Sequence, residues 1–338
     1  MSDTLMLLSG GHPVHRAFGE AIGADFFQPS QLATKSQFAP FKALNLVKIA
    51  LSIPTGYKYI LCESAYFYPA LKHRLGLLGK SKIININCGP VLYHVLSGRI
   101  KGIEAQLLTS LLHEVDGHLV YGSFGKEILS KFGVKTPVYV VYPFVSSDSF
   151  KKLVKIKPAL NSHRICIIAT ADAYNKGLDI LFSAVSKVKE IYPDVSIDII
   201  TRMEEKEIHN LNKTNYPVRI FKNITDVSRI LSGTALYVQP SRSDMFPISV
   251  IEAMACGIPT IVSTETGTKE VVGKICSSMV VKCDGKELSE AILSYFALST
   301  KEKKSLSTHF RDASLFFEEK NMLKIFKNQF SLLKKEIQ

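Results

Sequence analysis

Two carboxylates, Asp244 and Glu252, lie with seven residues between them, one before a helical segment and one inside it. A helix start offers free N–H groups and the positive end of the peptide dipoles, which suits a phosphate. An acid lying beyond that phosphate can accept hydrogen bonds from sugar hydroxyls. The chemistry this spacing suggests is therefore the holding of a phosphorylated sugar. Taken in isolation, the two acids read more simply as a solvated loop residue and a surface helix residue.

The elements that must position them are legible around the acids. The apolar run Ala235 to Val238 gives out at Pro240, polar residues follow, and Phe246–Pro247 lead into a helical segment from Ile248 to Cys256. Gly257 suits a left-handed helix stop and Pro259 prevents continuation. Thr260 to Ser263 reads as the next buried strand. Strand, loop, helix, strand is the repeating unit of a parallel sheet. Loops beyond the carboxyl ends of such strands are where ligands sit.

The whole string from Gln239 to Glu270 resembles the donor-sugar motif of retaining glycosyltransferases of family 4, of the two-Rossmann-domain (GT-B) type. The family pattern is P-S-x-x-E-G-F-x-x-x-x-x-E-A-M-A-x-G-x-P. Pro240–Ser241, Phe246, Glu252-Ala253-Met254-Ala255, Gly257 and Pro259 match it, and Gly267 and Glu270 match the loop that follows. Asp244 replaces the first Glu and Met245 the Gly.

The resemblance implies a role for each position. Glu252 would hold the ribose hydroxyls of a nucleotide and Asp244 would contact the transferred sugar. The backbone around Ile248 and Ser249, entered through Phe246–Pro247, would hold the diphosphate. Lys176–Gly177 resembles the family's K-G, which would put an ammonium against the leaving diphosphate. The family's Arg five or six residues earlier is missing, those places being Ala171 and Thr170; Arg202, after another strand, is a substitute candidate and equally a surface Arg. Gly10 and Gly11, with His12, would fill the glycine-rich loop after the first strand. The family's His after a first-domain strand is replaced by Asn87–Cys88, which leaves Cys88, His94 and His12 as acceptor-side or catalytic candidates. No D-x-D motif occurs, so no metal and no cofactor are expected, the nucleotide sugar being a substrate.

The 338 residues, 46% hydrophobic, suit roughly two domains. The expected fold is α/β, two Rossmann-like domains facing a central cleft. Residues 1–150 would form the acceptor-side domain, 151–162 a linker, 163–315 the nucleotide-sugar domain, and 316–338 a C-terminal helix packing back on the first domain. In the first half, strands are expected at 4–8, 22–28, 57–63, 82–87 and 138–143, with helices over 38–53, 92–112 and 124–132. His113, Glu114, Asp116 and His118 do not have zinc-helix spacing, since the second His falls one residue late for H-E-x-x-H.

The net charge of +12 is uneven: residues 1–158 carry +9 and residues 159–338 carry +3. An anionic membrane surface, a phosphorylated lipid or nucleic acid would each answer a basic half, and so would solubility alone. No basic helix or aromatic platform of nucleic-acid-binding type is present, so that partner is set aside. No apolar run reaches the about 20 residues of a membrane span, and no secretory signal is read at the N-terminus. Six cysteines without paired spacing fit a reducing compartment. The expectation is a cytoplasmic glycosyltransferase, peripheral on the inner membrane face, acting on a glycan or lipid-linked acceptor. Two alternatives stand beside it: a nucleotide-sugar 2-epimerase, and a degenerate partner protein that binds a nucleotide sugar.

Overall fold

The structure, a computed structural model, describes residues 2–8, 13–28, 39–89, 91–170, 172–213, 216–224 and 226–338, and the side chains of residues 39–43 are left aside. The chain divides into two compact units, one of residues 1–143 with 320–338 and one of residues 144–319.

The first unit holds β1 (Thr4–Leu7), β2 (Asp25–Phe27), β3 (Tyr59–Glu63), β4 (Lys82–Asn87), β5 (Gly117–Tyr121) and β6 (Val138–Val141). All pairings are parallel, in the order β2-β1-β3-β4-β5-β6. The interior strands β1 and β3 are buried along their whole length, as strands covered on both faces must be. Chain order reverses between β1 and β3, which makes the ends of those strands the switch point of this sheet.

The second unit holds β7 (Arg164–Ala169), β8 (Ser196–Thr201), β9 (Val218–Lys222), β10 (Leu236–Gln239), β11 (Thr260–Ser263) and β12 (Val280–Val281). Its order is β12-β11-β10-β7-β8-β9, again all parallel. This is the doubly wound order of a Rossmann sheet, with the switch between β7 and β10. The helix that follows β7, Leu178–Ile191, buries Leu178, Leu181, Val185 and Val188, a stripe at helical spacing. Each unit is thus a Rossmann-like α/β layer structure.

Two expectations change. The helix expected over 92–112 is two helices, Val91–Leu96 and Gly102–Leu112. Gly98 and Gly102 adopt φ of +71° and +64°, a backbone that cannot continue a right-handed helix. Residues 151–153 of the expected linker belong to a helix, Ser147–Leu153, capped by the Ser146 hydroxyl and anchored by buried Phe150 and Leu153.

The last helix, Glu319–Glu336, buries Met322, Phe326, Phe330 and Leu333 along one stripe. Phe326 stacks on Phe18 with centroids 4.1 Å apart, and Lys334 Nζ lies 2.8 Å from Asp3. These contacts group residues 320–338 with the N-terminal sheet despite their distance along the chain.

Candidate functional site

The loops leaving β7 and β10 meet at the switch point of the second sheet. Lys176 Nζ lies 2.6 Å from Asp244 Oδ2, a charge-assisted contact between residues 68 apart in sequence. Both side chains are partly open, 21% and 16% exposed, so the pair faces an accessible surface.

The clasp around this pair is built from neighbours. Asn175, buried, donates from Nδ2 to the Ser243 carbonyl at 2.8 Å and accepts the Arg242 N–H at 2.7 Å. Arg242 forks onto Asp179 at 2.8 and 2.7 Å, and its guanidinium lies 3.8 Å from the Tyr174 ring centroid. Gly177 adopts φ +72°, and a Cβ there would fall 2.1 Å from the Pro240 carbonyl oxygen. On the other side, the Asp244 N–H donates to Glu265 and the Asp244 carbonyl accepts from Gly267. A Cβ on Gly267 would meet the Met245 carbonyl oxygen at 1.8 Å. The Asp244 backbone is therefore tied to the loop after β11 while its carboxylate turns to Lys176.

Ser241 of the sequence motif is structural. It is buried; its hydroxyl accepts from Gln239 Nε2 at 2.7 Å, and its carbonyl accepts from Ser263 Oγ at 2.5 Å and Cys283 Sγ at 3.2 Å. Gln239 in turn accepts from the Tyr237 hydroxyl at 2.7 Å. Phe246 is also turned inward, 4% exposed and 5.5 Å from the Phe317 ring, so it spaces the loop and offers a ligand little surface.

The helix Ile248–Ala255 begins just past this loop. Pro247 is its N-cap and contributes no side-chain hydrogen bond, which leaves the first-turn N–H groups at Ile248 and Ser249 to an incoming acceptor. Glu252 lies one turn further in. Burial pushes its carboxyl up to about 7. Arg202 stands at the exposed end of β8, beside β7 and one strand from the switch point. Gly10, Gly11 and His12 lie outside the described residues, as does Ala171.

In the first unit, Cys88 follows β4 and meets Ser64 Oγ at 3.2 Å. It belongs to a buried group with His15 and Glu63, whose Nδ1 and Oε1 atoms are 2.7 Å apart. Burial alone would lower the His15 pKa, but Cys88 and then Glu63 outweigh it and raise it to about 10. His94 lies on the helix Val91–Leu96 with Arg99 Nη1 3.3 Å from its Nε2. Glu114 pairs with His73 and Arg74, Asp116 pairs with Lys82, and His118 is fully buried in β5.

Asn175, Asp179 and Arg242 carry no motif of their own, and His15 and Glu63 show no ligand spacing in sequence. The local signal is weak: Glu63 ends β3 and Arg242 closely follows β10, while His15 and Asp179 lie in the first turns of the helices after β1 and β7.

Comparison with known proteins agrees with this geometry. The family model described as "Glycosyl transferases group 1" matches residues 162–297. An MMP alpha-(1->4)-mannosyltransferase of Mycolicibacterium hassiacum is 28% identical over 201 residues, 57% of this chain and 47% of that protein. An uncharacterized glycosyltransferase of Haemophilus influenzae is 32% identical over 102 residues, 29% of each chain. The alignments thus span less than half the length of these curated relatives. Among solved structures, a sucrose-phosphate synthase from Thermosynechococcus elongatus is similar with TM-score 0.73 at 15% identity, covering 99% of this chain and 100% of that one. A trehalose-6-phosphate protein from E. coli bound with UDP-2-fluoro glucose gives 0.72 at 13% identity, covering 98% and 99%. The chain therefore has the GT-B fold of two Rossmann-like units, and its residues 162–297, where Lys176, Asp244 and Glu252 lie, match the glycosyl transferases group 1 model.

Proposed function

We propose that the protein transfers a sugar from a nucleotide-sugar donor to an acceptor hydroxyl with retained anomeric configuration, in the manner of family 4. The observation that carries this reading is the meeting of Lys176 and Asp244 at the switch point, ahead of a helix start whose N-cap, Pro247, gives no side-chain hydrogen bond. Lys176 and the first-turn N–H groups at Ile248 and Ser249 take the diphosphate, offsetting the charge that grows on it as the anomeric C–O bond breaks. In exchanging Asp244 for phosphate, Lys176 frees that carboxylate for the hydroxyls of the transferred sugar. Glu252 accepts from the ribose. With a cation supplied by Lys176, the diphosphate needs no metal. The sugar-transferase and sugar-phosphate synthase names of these relatives and structural neighbours support this reading.

The acceptor is assigned to the basic first unit, at an anionic membrane. Its helices Ala39–Ser52 and Gly102–Leu112 both pack on Phe67–Arg74 and expose Leu44, Val47, Leu51, Ile103 and Leu107 beside exposed Lys48, Arg99 and Lys101. Apolar side chains flanked by lysines suit a lipid headgroup layer. No helix among the described residues is long and apolar enough to cross a membrane.

The test is turnover against a panel of nucleotide sugars, alone and with polyprenyl-phosphate or glycolipid acceptors, followed by determination of the product anomer. We expect release of nucleoside diphosphate from one donor, retained configuration, insensitivity to chelator, and a fall of about a hundredfold or more in kcat for Lys176→Ala. Binding of a nucleotide sugar without turnover by the wild type would point to the non-catalytic partner protein, and conversion of the donor to an isomer would point to an epimerase.

A further inference from the structure

The switch point of the first sheet carries a second constellation, to which the proposed donor chemistry gives no role. His15 comes from the helix Pro13–Ala21, Glu63 ends β3, and Cys88 follows β4. One nitrogen, one carboxylate oxygen and one thiol sulfur from these three elements all lie within 4.8 Å of one another. His15 and Glu63 are 7% and 6% exposed.

The loop bearing the thiol is held in place. Ser64 takes φ +54°, unusual for a residue with a side chain, and its hydroxyl accepts the N–H groups of Cys88 at 3.1 Å and Gly89 at 2.7 Å. Tyr121, from the end of β5, stacks its ring on His15 with centroids 6.0 Å apart. The Tyr121 hydroxyl is buried and has no hydrogen-bond partner among the described residues.

An imidazole, a carboxylate and a thiol gathered from three elements offer one ligand atom each to a single ion, which would take the place of the proton shared between His15 and Glu63. Mixed N, O and S ligation selects against magnesium and calcium, which take oxygen, and suits zinc. Tetrahedral zinc places its N, O and S ligands about 3.3–3.6 Å from one another. The His15–Glu63 contact of 2.7 Å would open by roughly 0.6–0.7 Å to admit such an ion, within side-chain adjustment.

We propose that His15, Glu63 and Cys88 bind a thiophilic divalent cation of the zinc type, through three protein ligands with a fourth position open. The inference does not rest on the glycosyltransferase reading. It is tested by titrating chelator-treated full-length protein with Co²⁺ and following the sulfur-to-cobalt charge-transfer absorption. The band should saturate at one equivalent in the wild type, disappear in Cys88→Ser, and persist in Cys276→Ser and Cys283→Ser, which remove other partly exposed thiols. His15→Asn and Glu63→Gln should each weaken binding at least about tenfold, with circular dichroism of every variant matching the wild type. Competition with Zn²⁺ should displace the cobalt. A wild-type protein with no thiolate–cobalt band, or a band that survives Cys88→Ser, overturns the proposal.

Discussion

Glu252 is the residue whose ionisation should be felt in binding. Burial raises its carboxyl from the ordinary 4.5 to about 7, so the free protein holds it protonated below neutrality. In the proposed site the two ribose hydroxyls need a carboxylate acceptor, so a donor would bind the ionised form and expel the proton. Affinity for a nucleotide sugar, whose diphosphate ester does not titrate in this range, should rise with pH up to about 7 and then level off. The slope below that point approaches tenfold per pH unit. Calorimetric titration from pH 5.5 to 8.5 measures it, and Glu252→Gln should bind more weakly at high pH and lose the slope. The same shift works on folding. A raised acid favours the folded state fully below its unfolded value of 4.5, and that contribution is lost as pH rises through about 7. An affinity independent of pH in the wild type would remove Glu252 from the ribose.

At the scale of elements, the proposed donor site is a clasp between two strand-end loops, and two glycines let the backbones close. Gly177 lies against the Pro240 carbonyl and Gly267 against the Met245 carbonyl. Neither carbonyl can rotate aside as a side chain would. Gly177→Ala and Gly267→Ala should therefore each cost about 1–3 kcal/mol of stability in urea unfolding and move Lys176 or Asp244 out of register. At Gly177 the φ of +72° adds strain for any side chain. A drop in donor affinity should accompany the loss of stability in both. An alanine at Gly273, whose nearest neighbour would lie 3.5 Å from the new Cβ, serves as a control with little effect on binding. If the Gly177 and Gly267 variants bind donor as the wild type does, the clasp does not position the site.

Across the whole molecule, charge and exposed apolar side chains concentrate in the N-terminal part. Residues 1–158 carry +9 of the +12, and Ile103 is 84% exposed on a helix flanked by Lys101. Vesicles containing anionic lipid should sediment the protein, neutral vesicles should do so less, and raised salt should release it. Ile103→Ser with Leu44→Ser should reduce binding about tenfold or more, since each buried apolar side chain contributes about 1.5–3 kcal/mol. Binding that is equal on neutral and anionic vesicles and insensitive to salt would sink the electrostatic part of this reading.

What the sequence determined by itself is local in origin. The run from Ala235 to Ser263 reads as strand, loop, helix and strand because apolar continuity, Pro240, Gly257 and Pro259 act on adjacent residues, and the structure has β10, the helix Ile248–Ala255 and β11 there. The helix expected over 92–112 failed for a local reason too, since its apolar spacing persists through a break that Gly98 and Gly102 impose. The tertiary structure alone decided the partners. Lys176 meets Asp244, and Arg242 meets Asp179, because β7 and β10 are neighbours in a sheet whose order is not the chain order. His15, Glu63 and Cys88 converge for the same reason, from a helix and two strand ends that only sheet pairing brings together. Periodicity encodes which face of an element is buried; strand order, settled by packing over long separations, sets which loop ends share a site.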